Sequence, residues 1–181
     1  MKSILKSMQN RKNGIPETVL PLFEHIMDNY EGDECYQKFM KAMDEHLTTE
    51  QRFRIFEQNG GCNGTGYDKV RKAFALKHAG LPLAEKLELF LDAFPGRKAV
   101  LNDDNTITVT FSCRHGYYLH APKRKFNLPA SVKTYFERCA GGRLYEYQKA
   151  LGVKLRIKSV DVSALDEHVS NPVVFVFEVI E

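Results

Sequence analysis

The chain has 181 residues, a formal net charge of +3 at pH 7 and 43% hydrophobic residues. This composition is typical of a globular protein, and so small a charge does not favour nucleic-acid binding. The sequence lacks a run of about 18 apolar residues, as a membrane span requires, and its first residues lack the apolar core of a secretory signal. Its four cysteines therefore predict reduced thiols in a soluble cytoplasmic protein.

The first half of the chain has the periodicity of helices. Apolar residues recur at three- and four-residue intervals in the segments 17–30, 35–47, 48–61, 67–80 and 82–94. Pro21 is expected in the first turn of its helix. Thr48 and Gln51 form a capping-box pattern at the start of "TTEQRFRIFEQNGG", and Pro82 is expected to open the last of these helices.

The pattern changes to strand-like alternation after Pro95. "RKAVLNDDNTITVTFSC" predicts a hairpin with its turn at 102–105, and "GYYLHA", "VKLRIKSV" and "PVVFVFEV" predict further strands. A helix is expected from about Gly142 to Leu151. We therefore predict an α+β fold: a helical part, 1–95, packed with an antiparallel sheet crossed by one long helix, 96–181, in one compact unit.

Three basic residues alternate with apolar ones near the C-terminus. Lys154, Arg156 and Lys158 share one strand face, opposite Val153, Leu155 and Ile157. We interpret the basic face as solvated sheet surface, with an anion site as the less favoured alternative.

The stretch "FSCRHGYY" places two soft metal ligands on one side of a strand. Alternation from Phe111 puts Cys113 and His115 on the same face as that phenylalanine. This is the face that we expect a helix to cover, so thiol and imidazole point into protected space.

Cys139 directly precedes "AGG" and the expected helix start. A helix N-terminus stabilises a thiolate, and Arg138 and Arg143 add positive charge, so an activated cysteine is predicted there. The N–H groups of Gly141 and Gly142 would form an oxyanion site beside it. Cys62 lies in the glycine-rich "NGGCNGTG", which lacks the lysine of a phosphate-binding loop.

The C-terminal half resembles a group of small bacterial domains. The resemblance is carried by "SCRHGYY", "FERCAGGRLYEYQKALGVKLRIKSVDVSAL" and a final "VVFVFEV", and "TTEQRFRIFEQNGGC" extends it towards the N-terminus. These motifs are similar to those of a cysteine-rich bacterial family of uncharacterised function. In layout that family is related to 2-amino-thiazoline-4-carboxylate hydrolases and 4-vinyl reductase domains. The resemblance implies an α+β fold in a bacterial protein.

The resemblance also implies thiols in pairs at three places. This chain keeps one thiol at each, as Cys62, Cys113 and Cys139. The second thiols are replaced, with Asn59, His115 and Glu137 near those positions. A role that needs all the paired thiols is therefore not implied for this sequence.

Three functional hypotheses follow, and the residues leave all of them open. The first is a zinc site with the tetrahedral Cys₃His set Cys62, Cys113, His115 and Cys139. The second is a cysteine-dependent hydrolase of a small thiazoline-like substrate, with Cys139 or Cys113 as the nucleophile and His115 as the base. The third is a module that binds a small molecule between sheet and helices, with Tyr117, Tyr135, Glu137 and Arg143 as candidate contacts.

The alternative to all three is packing, because free cysteine is often a buried, inert residue. We expect this role for Cys35, which lies in an amphipathic helix. A homodimer formed through the sheet is plausible, whereas nucleic-acid and membrane partners are not expected.

Overall fold

A computed structural model describes residues 1–59, 67–112, 132–166 and 172–180. Helices dominate the N-terminal part: α1 (Lys2–Met8), α2 (Leu20–Asn29), α3 (Gly32–His46), α4 (Thr49–Gln58), α5 (Asp68–Lys77) and α6 (Leu83–Ala93). Strands β1 (Lys98–Leu101) and β2 (Thr106–Phe111) come before the long helix α7 (Val132–Leu151). Strands β3 (Leu155–Asp161) and β4 (Val173–Val179) follow it, and short 3₁₀ turns occupy Arg11–Asn13 and Ser163–Asp166. The predicted α+β class is confirmed.

The four strands form one antiparallel sheet in the order β1-β2-β4-β3. Residues 102–105 make the predicted hairpin turn, in which the Asn102 N–H donates to the Thr106 carbonyl at 2.8 Å. Asn105 takes a φ of 58°, a left-handed conformation that asparagine adopts more readily than most residues. The Asn102 side-chain amide also donates to the hydroxyls of Thr106 and Thr108, which fixes the turn to β2.

The two faces of the sheet differ as the alternation predicts. Buried apolar side chains on the inner face pack under α7, among them Ile107, Val109, Ile157, Phe175 and Phe177. On the other face Arg156 binds Glu178 at 2.6 Å and Lys158 binds Asp104 at 3.0 Å, all four being substantially exposed. These two cations are therefore surface ion pairs, in agreement with a solvated face.

Helix α4 joins the two hydrophobic clusters of the protein. Ile55 and Phe56 pack with the buried side chains of α1, α2 and α3, whereas Phe53 belongs to the cluster between sheet and α7. The predicted capping box is present, since Thr48 Oγ1 accepts from the Gln51 N–H and Gln51 Oε1 accepts from the Thr48 N–H. Pro21 lies in the first turn of α2, also as predicted.

The start of the long helix was predicted wrongly. The sequence pattern placed it near Gly142, but α7 begins at Val132 and runs through Gly141 and Gly142. Each glycine costs a helix about 1 kcal/mol relative to alanine, which is why "AGG" resembles a helix boundary. Packing outweighs that cost because the backbone of α4 lies against Gly141, where a side chain would collide with the Phe56 carbonyl.

One carboxyl group ties α4 to the sheet and gives stability a pH dependence. Glu57 Oε1 accepts the Ile157 N–H at 2.7 Å, next to the irregularity of β3. Burial raises the pKa of Glu57, while the Ile157 hydrogen bond and the arginines Arg156 and Arg54 act in the opposite direction. A carboxyl with a raised folded-state pKa stabilises most at low pH, and this contribution is lost as pH rises through the folded value.

We therefore expect Glu57→Gln to stabilise the protein slightly at pH 7. The amide oxygen still accepts the Ile157 N–H, and the partly buried charge is gone. Urea unfolding at pH values from 4.5 upward should show a flatter pH dependence than the wild type. Glu45→Gln, at an exposed carboxylate beside Lys41, is the matched control and should leave the pH dependence unchanged. A stability loss at pH 7 in Glu57→Gln would contradict this account.

Within the described ranges, every helix is too short or too polar to span a bilayer.

Candidate functional site

Three of the predicted site residues lie on one side of α7. Tyr135, Cys139 and Arg143 are spaced by four residues, so their side chains follow one another along a helix face. Tyr135 and Cys139 pack in the cluster between sheet and helix. The Arg143 guanidinium lies over the Phe111 ring, 5.3 Å from its centre. Because Phe111 is the last residue of β2, this face borders the strand end that leads to Cys113.

Cys139 does not have the environment that was predicted for it. It lies in the body of α7, seven residues after Val132, and its side chain is buried with 6% exposure. In a helix body the backbone N–H groups bond to carbonyls four residues earlier. The helix N-terminus is therefore too far along the chain to activate this thiol. The N–H groups of Gly141 and Gly142 are likewise part of the helix rather than an oxyanion site.

The other predicted ligands cannot be placed. Cys62, Cys113, His115 and Tyr117 lie outside the described residues, as does the predicted strand "GYYLHA". In the parts of the chain that are described, no cluster of three or more histidine, cysteine, aspartate or glutamate side chains is arranged to hold a metal ion. The predicted zinc set thus has one described member, Cys139, and the convergence of its four residues stays a prediction. Cys35 is buried in α3, and its thiol lies 3.8 Å from the Ile26 carbonyl oxygen.

Glu137, a predicted ligand contact, faces α4 and forms a buried ion pair there. Its carboxylate accepts from Arg52 Nε at 2.6 Å and from Nη2 at 3.1 Å, and the two residues are 0% and 5% exposed. Arg52 also donates to the Leu47 carbonyl at 2.7 Å and to Thr49 Oγ1 at 3.1 Å. Both carboxylate oxygens are occupied by Arg52, which assigns Glu137 to the contact between α4 and α7.

A second buried carboxylate on α7 is surrounded by three arginines. Glu146 is 1% exposed, and its Oε1 accepts from Arg97 Nε at 2.9 Å and from Arg71 Nη2 at 3.4 Å. Its Oε2 lies 2.7 Å from Arg143 Nη1. We call Arg71, Arg97, Arg143 and Glu146 the arginine cluster. It joins α5, the segment before β1 and α7 at the same helix end that carries Arg143.

The arginines of this cluster are held by aromatic rings and a second carboxylate. Arg97 lies 5.1 Å from the Phe94 ring centre and 5.7 Å from that of Phe90, and it donates to the Phe94 carbonyl. Arg71 pairs with Asp68 at 3.3 Å, and the Tyr145 hydroxyl donates to Asp68 at 2.6 Å. The Tyr145 hydrogen bond is the main cause that lowers the pKa of Asp68, so the carboxylate form is favoured.

Tyr147 lies next in the chain and is fully buried between sheet and α6. Its ring centre is 5.1 Å from that of Phe90. Among the described residues its hydroxyl has no hydrogen-bond partner. Burial, reinforced by the Glu146 charge, raises the pKa of Tyr147, so the phenol stays neutral at any ordinary pH.

Only part of this cluster has a sequence signal. Arg143 and Glu146 are three residues apart on α7, a spacing that favours an ion pair. Arg71 and Arg97 come from distant segments, and no local pattern connects them to Glu146.

Comparison with known proteins gives no relative from which a function can be taken. No protein-family model, no curated protein and no solved structure matches the chain.

Proposed function

We propose that this protein binds a small ligand or a metal ion at a thiol and imidazole site between its sheet and its helices, in the cytoplasm. The observation that carries the proposal is the position of Arg143. Its guanidinium packs on Phe111, at the strand end from which the chain continues into Cys113 and His115. A cationic group therefore stands beside the segment that holds the two soft ligands.

The α7 face next to this strand end suits recognition of a small molecule. Tyr135 and Cys139 supply an apolar, polarisable wall, and Arg143 supplies one charged group at its end. Sites for small molecules commonly combine a mostly apolar wall with a few polar groups that orient the ligand. The implied relation to the cysteine-rich family and to 4-vinyl reductase domains agrees with such a module, and it too is a proposal.

The alternative function is a cysteine-dependent hydrolase of a small thiazoline-like substrate. Because Cys139 is buried in a helix body, its own activation loses its physical reason. The hydrolase hypothesis then depends on Cys113 as nucleophile and His115 as base, which are two residues apart in the sequence. Binding without turnover needs fewer special groups, and we therefore prefer it.

Zinc content together with thiol titration tests the thiol site. If the site holds metal, elemental mass spectrometry of untagged protein should find about one zinc per chain, as expected for a Cys₃His set. Cys113→Ala should lose that zinc. Cys35→Ala, which removes a thiol packed in α3, is the control and should keep it.

If the site holds an organic ligand, no zinc is found, and Cys113 should react with a thiol reagent more slowly in the native protein than in urea. Release of the ligand by dialysis should then speed the reaction. Absence of zinc together with Cys62 and Cys113 reacting at the denatured rate would contradict a thiol site.

A further inference from the structure

The arginine cluster contains more positive than negative charge. Arg71, Arg97 and Arg143 carry three positive charges, and Glu146 and Asp68 carry two negative ones, which leaves one positive charge in excess. Lys149, whose ammonium lies 5.5 Å from the Tyr145 ring centre, adds a further cation near Asp68. Arg71 is 3% exposed, and the side chains of Arg97 and Arg143 are 25% and 20% exposed.

An excess charge in so sheltered a place is costly without a counter-ion. Water screens the two outer arginines only in part, and the buried carboxylate is already shared among three guanidinium groups. The segment 113–131, which connects β2 to α7, has no aspartate or glutamate and contains Arg114, Lys123, Arg124 and Lys125. The chain that adjoins Arg143 on both sides in the fold thus brings more positive charge and no carboxylate.

We propose that the ligand of this protein carries an oxyanion, a carboxylate or a phosphate, that Arg97 and Arg143 bind at the outer side of Glu146. This inference rests on the proposed small-ligand function and specifies the chemical class of the ligand. Guanidinium groups present planar pairs of N–H donors that match carboxylate and phosphate oxygens. Glu146 holds both arginines from the inner side, so they are oriented before the ligand arrives.

The rings beside the arginines favour an apolar body for that ligand. Arg97 packs on Phe94 and Phe90, and Arg143 packs on Phe111, so each guanidinium has an aromatic surface against it. An aromatic carboxylate satisfies both features, whereas inorganic phosphate satisfies the charge alone.

Calorimetric titration with benzoate and with inorganic phosphate tests the inference. The protein is first dialysed into chloride buffer, and ionic strength is held constant because salt screens exposed charges. We expect saturable binding of at least one of the two anions at one site per chain, with benzoate preferred. Arg97→Gln should weaken that binding by about tenfold or more, since it removes one charged two-point contact.

Two further variants separate a ligand site from a purely structural cluster. Arg143→Lys keeps the charge and loses the planar fork, so it should also weaken anion binding while circular dichroism stays unchanged. Arg156→Gln removes the same charge from the far face of the sheet and should bind like the wild type. If Arg97→Gln and Arg156→Gln bind the anions equally well, or if neither anion binds the wild type, the inference is overturned. A zinc ion or neutral molecule found at the thiol site would in that case leave the proposed function standing.

Discussion

Arg52→Met is expected to lower the free energy of unfolding by about 3–5 kcal/mol, the usual cost of leaving one buried charge without its partner. Glu137 is 0% exposed and receives both of its charged hydrogen bonds from Arg52. Methionine fills similar space but donates nothing, so the carboxylate is left desolvated. Arg52 also caps the end of α3 through the Leu47 carbonyl, and this bond is lost as well. Urea unfolding followed by circular dichroism measures the change.

The double variant Arg52→Met, Glu137→Leu shows whether the pair itself causes the loss. Removing both charges should restore a large part of the stability, because replacing a buried ion pair by apolar groups is often close to neutral. Arg156→Met, at an exposed pair with Glu178, is the control and should cost no more than about 1 kcal/mol. Additive losses in the double variant would contradict the assignment of Glu137 to the contact between α4 and α7.

Gly141→Ala is expected to destabilise the protein by about 2 kcal/mol, although alanine is the better helix former. A Cβ at this position would lie 2.8 Å from the Phe56 carbonyl carbon and still closer to its oxygen. Because these are backbone atoms of α4, relief requires the two helices to separate, and such overpacking costs about 1–3 kcal/mol or more. The gain in helix propensity of about 1 kcal/mol offsets only part of this.

Gly80→Ala is the matched control for that substitution. No atom lies within 4 Å of the position that its Cβ would take, and its φ is not in the left-handed region. We expect a change within about 0.5 kcal/mol, as for surface substitutions in general. A Gly141→Ala protein that is as stable as the wild type would show that α4 and α7 are farther apart than the structure places them.

The features that the sequence predicts well are those decided by neighbouring residues. The turn at 102–105 depends on Asn102 and Asn105, and both act within the hairpin itself. The capping box of Thr48 and Gln51 is likewise complete within one helical turn. Alternation along β2 and β3 fixes which face is buried because side chains in a strand alternate strictly.

The features that were missed depend on partners far away in the chain. Gly141 resembles a helix boundary until the Phe56 backbone is placed against it. Glu137 resembles a free acid beside a cysteine until Arg52, 85 residues away, is found on its carboxylate. The arginine cluster has the same origin, since Arg71 and Arg97 reach Glu146 only after folding. A prediction from local pattern has no access to such contacts.

For the candidate site, the sequence identified the helix that carries it but not its face. The four-residue spacing of Tyr135, Cys139 and Arg143 becomes meaningful only once the helix is known to start at Val132. The error in the helix start therefore led directly to the wrong environment for Cys139. The hypothesis that Arg143 contacts a ligand does not depend on that start, and it is the part of the site that we develop further.

Native mass spectrometry of the untagged protein tests the central claim, ligand binding beside Arg143, most directly. The account predicts that the wild type carries a retained mass above that of its 181-residue chain, and that this mass disappears on denaturation. Arg143→Gln should lose most of the retained mass. Arg138→Gln, whose guanidinium lies 3.3 Å from the Tyr36 hydroxyl, should keep it. A wild-type protein with no retained mass, or equal retention in both variants, would contradict the account.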